Sequence, residues 1–322
     1  MAVTRRAVDV AELVERARAA DARAVARLIS LVENDSPALR EVAAALAPHG
    51  GHAQVVGLTG SPGVGKSTAT SALVTALRAA GKRVGVLAVD PSSPFSGGAL
   101  LGDRVRMQEH ATDDGVFIRS MASRGQLGGL SAAVPQALRI LDAAGCDIVL
   151  VETVGVGQAE VEIASLADTT IVLLAPGMGD GIQAAKAGIL EIADVFVVNK
   201  ADRDGADQVA RDLRYMQSLG GRHSDVGAWR PPIIKTVATR SEGIDDVVAA
   251  LAKHHDWMQR SGELERRRRA RAASEIEAIA MGEVRQRFAG VHGSAALDAA
   301  ATRVVTGETD PYTAADALVA SL

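Results

Sequence analysis

Apolar residues recur at three- and four-residue spacing near the start of the chain: Val10, Leu13, Val14 and Ala17, then Val25, Leu28, Ile29 and Val32. That spacing gathers them on one face of a helix, so residues 8–48 read as helical. Asn34-Asp35-Ser36-Pro37 interrupts the pattern and offers a cap for a further helix running to Leu46. Pro48-His49-Gly50-Gly51-His52 punctuates the chain and marks a boundary. Beyond it the period changes. Short β-rich runs, Val55–Thr59, Arg83–Val89, Val116–Ser120, Asp147–Glu152, Thr169–Ala175, Asp194–Asn199 and Pro232–Val237, alternate with helix-length stretches such as Ser67–Ala80, Ser131–Ala144 and Gly205–Leu219. Several runs are apolar at successive positions, the pattern of strands covered on both faces. Strand, helix, strand at this spacing predicts right-handed crossovers and an α/β fold with a doubly wound, mostly parallel sheet. After residue 260 a charged helix begins at Glu263, with Ile276, Ile279 and Val284 on one side, and a last helix, Thr313–Leu322, follows Asp310-Pro311. The expected organisation is a helical extension over 1–50, an α/β domain over 51–260 and a helical arm over 261–322.

Composition narrows the picture. With 322 residues the chain can bury a large core without disulfides or a structural metal. A single cysteine, Cys146, excludes a disulfide framework and any multi-cysteine metal site, and suits a reducing cytosol. A net charge of -4 and 2% aromatics give neither the basic stripe nor the stacking rings of a nucleic-acid surface. The apolar runs fall short of the roughly 20 residues that cross a bilayer. Asp9, Glu12 and Glu15 argue against a targeting peptide at the start. The expectation is a cytoplasmic protein that engages neither membrane nor nucleic acid.

The strongest chemical signal is Gly60-Ser61-Pro62-Gly63-Val64-Gly65-Lys66-Ser67, which meets G-x-x-x-x-G-K-[ST] at every fixed position and lies between a predicted strand and a predicted helix. Glycines let the backbone curl so that N–H groups point inward at phosphate oxygens, and the helix N-terminus adds its dipole. Lys66 supplies a point charge to the outer phosphates, the Ser67 hydroxyl a ligand for Mg²⁺, and Thr68 an N–H to the inner phosphates. Downstream, an apolar strand ends in Asn199-Lys200-Ala201-Asp202. Asp202 can accept from both the ring N–H and the exocyclic amine of guanine, an arrangement adenine lacks. Asn199 can tie this loop to the phosphate loop, and the Lys200 stem can cover the base. Backbone N–H groups of Thr236-Val237-Ala238 are candidates to meet the guanine oxygen. GTP and GDP are the nucleotides implied.

A metal side is legible too. Asp90 closes the second strand of the series, where a carboxylate lies on the ligand side of a parallel sheet, and Asp103 follows in a Pro-, Ser- and Gly-rich stretch that a γ-phosphate could order. An Asp-Pro turn and a helix cap are the plain alternatives. Glu152-Thr153-Val154-Gly155 gives E-x-x-G where common GTPases carry D-x-x-G. Gly155 can offer its N–H to the γ-phosphate and Glu152 can act around the metal. The next residue is Val156, not the glutamine that positions water in Ras-like enzymes, so slow intrinsic hydrolysis is expected. Three glycines in the 176–186 segment make a further candidate for a shape-changing loop.

Taken together, GSPGVGKST, DPSSPFSGGALLGDR, ETVGVGQ, GMGDGIQAAKAGILEIAD and NKAD resemble the MeaB-type GTPases, chaperones of adenosylcobalamin-dependent methylmalonyl-CoA mutase that older names call transport-system ATPases or ArgK kinases. The resemblance covers nearly the whole chain. It implies Lys66 and Ser67 at phosphate and metal, Asp90, Asp103 and Glu152 as metal-centred catalytic and switch residues, and Asn199, Lys200 and Asp202 at guanine. It also implies that Gln183 and Lys186 relay nucleotide state to the mutase and that the arm over Glu263–Phe288 pairs two subunits. A metallochaperone GTPase of the same fold and a kinase acting on a transport protein are the competing readings; the first would want cysteine or histidine clusters and the second an acceptor site with its own base. The Arg266–Arg269 run, flanked by Glu263, Glu265, Glu275 and Glu277, reads as a solvated helix face.

Overall fold

The computed structural model describes residues 9–34, 36–91, 107–123, 133–153, 159–177, 191–219, 227–289 and 295–320. Two compact units are present, Met1–Arg267 and Arg268–Leu322. In the first, α1 (Val10–Arg18) and α2 (Ala22–Glu33) each begin at an aspartate that accepts from the first-turn backbone: Asp9 from the Glu12 N–H, Asp21 from those of Arg23 and Ala24. Such a cap satisfies donors that the helix leaves open. The faces read from the spacing are the buried ones: Val10, Val14 and Ala17, then Val25, Leu28, Ile29 and Val32. A third helix, α3 (Leu39–Leu46), has Ala38 at its N-cap without a side-chain bond.

Seven strands follow: β1 (Gln54–Thr59), β2 (Val84–Pro91), β3 (Val116–Ser123), β4 (Ile148–Thr153), β5 (Thr169–Leu174), β6 (Val195–Val198) and β7 (Ile233–Lys235). They form one sheet in the order β3-β2-β4-β1-β5-β6-β7, every neighbouring pair parallel. All seven runs expected from the sequence are strands, and β4, β5 and β6 are buried at every position, which explains why they read as unbroken apolar runs. One face packs with α1–α3, α5 (Ala133–Ala143) and α6 (Ala159–Leu166); the other with α4 (Lys66–Ala79) and α8 (Ile244–Ser261). Strands β5 and β6 also hold α7 (Ala206–Leu219). Cys146 is part of the first core, and burial pushes its thiol up to about 12.

The arginine run departs from expectation. Helix α9 (Glu263–Ala289) starts at Glu263, and Arg267 is not a solvated charge. Its guanidinium donates to both carboxylate oxygens of Asp194 at 2.8 and 3.0 Å, to the Asp168 carbonyl at 2.9 Å and to Glu263 Oε1 at 2.9 Å. Burial works against this guanidinium, yet the hydrogen bonds and charge of Asp194 and Glu263 outweigh it and raise its pKa. Beside the pair, His254 is fully buried with Nδ1 2.9 Å from Thr169 Oγ1; burial lowers it to about 4, so its ring is neutral at pH 7. A charge run reads as solvated because its partner lies 73 residues earlier in the chain. Arg267→Ala is expected to destabilise the first unit by about 3 kcal/mol, because it strands the Asp194 carboxylate in the interior. Arg267→Lys should recover only part of the loss, since a point charge cannot reproduce the paired bonds. Chemical-denaturant unfolding checks both, and a wild-type midpoint for the alanine variant would refute the assignment.

The second unit contains the greater part of α9, then α10 (Ala295–Val305) and α11 (Pro311–Ala320). It leaves Ile276, Ile279, Met281, Val284, Val305 and Tyr312 exposed. No helix among the described residues is long and apolar enough to cross a membrane.

Candidate functional site

Because every strand runs the same way, the C-terminal ends of β1, β2, β4, β6 and β7 share one edge of the sheet, with β1 in the interior where the chain reverses its direction of spread. Ligands of open α/β sheets bind at such a reversal. The predicted phosphate loop leaves β1 here and enters α4 at Lys66. Two of its glycines are forced. A Cβ on Gly60 would overlap the Leu173 carbonyl of the adjacent strand, and Gly65, at φ +96°, would bring a Cβ within 2.5 Å of Asn199 Nδ2. Gly65 thus sits in the left-handed region at the helix N-cap while its missing side chain leaves room for the asparagine.

Inside the loop, Lys66 is buried and its Nζ donates to the carbonyls of Gly60 at 2.5 Å and Ser61 at 3.2 Å. Val64 is buried beneath it, whereas Pro62 and Gly63 are exposed and Thr68 half-buried. Ser67 Oγ donates to Glu152 Oε1 at 2.6 Å. Glu152 stands near the end of β4, in register with Leu58 of β1 and Ala88 of β2, and is buried. Thr70 Oγ1 lies 3.1 Å from its other oxygen, Oε2, and 3.0 Å from the Lys66 carbonyl. Thr70 carries no sequence signal: amid Lys66-Ser67-Thr68-Ala69-Thr70-Ser71 it reads as helix filler.

The second cluster comes from the β6 and β7 ends. Asn199 is buried; its Nδ2 donates to the Val64 carbonyl at 2.9 Å, and its Oδ1 accepts from Thr236 Oγ1 and the Ala238 N–H, both at 3.1 Å. Lys200 adopts φ +56°, a left-handed conformation that costs a non-glycine residue on the order of 1 kcal/mol or more. It is held there by the Ala201 N–H on the Thr236 carbonyl at 3.0 Å and by its own Nζ on the Gly63 carbonyl at 2.7 Å. Asp202 follows at the surface, 3.6 Å from Arg240 Nη1. The three N–H groups considered for a base carbonyl all have protein acceptors: Thr236 bonds the Val198 carbonyl, Val237 that of Glu242 and Ala238 the Asn199 side chain. Of the three, the Ala238 N–H is the one that braces the asparagine.

The structure therefore brings together the phosphate loop, Glu152, Asn199, Lys200 and Asp202. Asp90 pairs through its backbone with Ala122 of β3 at the same edge. Its side chain, together with Asp103, Gly155, Gln183 and Lys186, lies outside the described residues. As a cation site the donors fit: a serine hydroxyl beside a buried carboxylate is a hard-oxygen set of the kind Mg²⁺ prefers.

Proteins similar to this chain carry GTPase names. A family model described as methylmalonyl Co-A mutase-associated GTPase MeaB matches residues 25–292. A Pyrococcus abyssi protein bearing a GTPase name is 47% identical over 308 residues, covering 96% of this chain and 95% of its own length. GTPase ArgK of Escherichia coli is 37% identical over 262 residues, 80% of this chain and 79% of that protein. The crystal structure of an LAO/AO transport system kinase is similar with a TM-score of 0.71 at 29% identity, over 96% of each chain.

Proposed function

The chain belongs to the MeaB family of GTPases, and on that premise we propose that it is a Mg²⁺-dependent, homodimeric GTPase that assembles, loads or protects adenosylcobalamin-dependent methylmalonyl-CoA mutase in the cytoplasm. The observation that supports the client is the family description itself, whose model spans most of the chain and carries the mutase in its name. In this reading the glycine-shaped loop and Lys66 bind the β- and γ-phosphates, Asp202 reads guanine, and Asn199 locks the base-reading loop onto the phosphate loop through Val64. Ser67 and Glu152 hold Mg²⁺ together with Asp90 and Asp103. The metal supplies charge neutralisation at the transferred phosphoryl group. The exposed Ile276, Ile279 and Val284 of α9, and the apolar groove lined by Leu297, Val304, Pro311 and Leu318, support subunit pairing through the arm.

Two other occupations of this fold are weaker. Delivery of a soft metal wants an accessible thiolate, and Cys146 is buried with its thiol raised. A kinase role is suggested by the name of the similar transport-system kinase structure. It predicts a phosphorylated acceptor where a chaperone predicts release of inorganic phosphate alone.

The test is GTP turnover and nucleotide affinity, each with and without saturating mutase from the same organism. Reciprocal coupling of about 1–3 kcal/mol is expected, a shift of roughly 5- to 150-fold in nucleotide affinity. Alanine at Gln183 and Lys186 should remove the coupling while leaving nucleotide binding in place. No response of either quantity to the mutase would reject the chaperone reading.

A further inference from the structure

We propose that Arg240 is a specificity-determining residue of the base site, donating from its guanidinium to the carbonyl oxygen of guanine while Asp202 accepts from the two donors beside that oxygen. The inference rests on reading Asp202 as the guanine-binding carboxylate.

The guanine carbonyl has no reader among the amides that the sequence nominates, since those of Thr236, Val237 and Ala238 all have protein acceptors. Arg240 ends the 3-10 turn Ala238–Arg240 that follows them. Its Nε and Nη2 donate to the two carboxylate oxygens of Glu242 at 2.7 and 3.2 Å. A guanidinium has five N–H donors, and this fork uses one on each of those two nitrogens. Both protons of Nη1 are left over, and Nη1 is the atom that approaches Asp202, 3.6 Å from its Oδ2. That separation is too long for a hydrogen bond, so the two side chains stand as neighbours with donors and acceptors to spare.

The turn beneath them is pinned. Val237 and Glu242 exchange backbone hydrogen bonds at 3.0 and 3.3 Å across it. Ser241 is left-handed at φ +56°, and a Cβ on Gly243, at φ +74°, would lie 2.2 Å from the Lys235 carbonyl. With its backbone fixed and its fork gripped by Glu242, the guanidinium has little freedom left to lose when a base arrives. Guanine presents a carbonyl acceptor next to a ring N–H and an amine. Its complement is one donor next to two acceptors, which a guanidinium N–H beside a carboxylate supplies. Adenine would set its amine against Arg240 and an unprotonated ring nitrogen against Asp202, two repulsive contacts. Arginine donating to this same oxygen is also the commonest specific contact in the reading of duplex DNA. The Thr239 N–H is the rival donor, and a backbone amide survives substitution of Arg240.

The experiment uses the full chain and measures the affinities of GDP, IDP and 6-thioguanosine diphosphate. The thio compound keeps both donors of guanine and replaces the carbonyl oxygen by sulfur, a weaker acceptor. IDP keeps the carbonyl and lacks the amine. The wild type is expected to prefer GDP to the thio compound by about fivefold, less than a charged hydrogen bond gives in a closed site because water competes at an exposed arginine. Arg240→Met should weaken GDP by about the same factor and bring the thio compound to within about twofold of it. The preference for GDP over IDP, which Asp202 sets through the amine, should keep its wild-type value. Arg240→Ala carries the same expectation and serves if the methionine variant does not fold by circular dichroism. A wild-type preference for GDP over the thio compound in a folded variant overturns the proposal and gives the carbonyl to the Thr239 amide. So does a wild type that binds the two equally. A change confined to the IDP preference also overturns it, making Arg240 a counter-charge for Asp202. If the wild type binds ADP as tightly as GDP, the guanine reading of Asp202 itself fails, and that outcome is separable because it needs no variant.

Discussion

Lys66→Ala is expected to weaken GTP binding by at least about 100-fold and to remove measurable turnover, with the fold intact. The ammonium is buried and already held by the Gly60 and Ser61 carbonyls, in the concave side of a loop whose left-handed Gly65 hands the chain into α4. A phosphate entering there meets a fixed charge and exchanges it for weaker carbonyl contacts, so little side-chain freedom remains to be lost on binding. Truncating one partner of such a desolvated charge pair typically costs 2–5 kcal/mol, and about 3 kcal/mol corresponds to the stated factor. Lys66→Arg should fail nearly as badly, because a planar guanidinium does not fit a cradle shaped for a compact ammonium. The fold should survive, because the charge serves the loop and not the sheet beneath it. Calorimetric titration with GTP, paired with circular dichroism, measures both halves. Unchanged affinity in a folded variant would remove the phosphate loop from the site.

The sheet was legible because its strands are covered on both faces, so Ile148–Thr153, Thr169–Leu174 and Val195–Val198 stand out as continuous apolar runs. The phosphate loop and the NKAD turn were legible for a different reason. Each needs several fixed residue types at fixed spacing, and the bond from Asn199 to the Val64 carbonyl is the tie that chemistry alone suggested. What stayed hidden depends on partners distant in sequence. Arg267 looks like one cation of four until its pairing with Asp194 is known, and Thr70 is one hydroxyl among several until β4 carries Glu152 against it. Backbone donors are hidden for the same reason. That the amides of Thr236, Val237 and Ala238 brace neighbouring groups follows from the path of β7, which no local pattern encodes. Short α6 and alanine-rich α10 were also unmarked, since neither carries a strong apolar stripe.

Asp202→Asn should exchange the base preference of the site. The carboxylate stands three residues past Asn199, on a turn fixed at both ends: Asn199 by Val64, and Ala201 by the Thr236 carbonyl at 3.0 Å. Its position is set by that backbone more than by its own contacts, so a side chain of the same shape will occupy the same place. Guanine offers two adjacent donors, the ring N–H and the exocyclic amine, and a carboxylate accepts both. An asparagine accepts one and points its own N–H₂ at the other, replacing an attraction by a clash of donors. Where a site is built on such hydrogen bonds, discrimination reaches 10⁴- to 10⁵-fold in enclosed settings. Here the Asp202 side chain is 41% exposed, and Arg240 lies 3.6 Å away, so solvent and a cation moderate the effect. A loss of about 100-fold for GTP is expected. Xanthosine triphosphate, which carries a carbonyl in place of the exocyclic amine, should gain correspondingly because the new amide can donate to it. Competition titrations of GTP, ATP and xanthosine triphosphate against a fluorescent GDP analogue read all three. Equal affinity of the wild type for ATP and GTP would defeat guanine recognition outright, whereas a variant that keeps its GTP affinity would move recognition from Asp202 to another group.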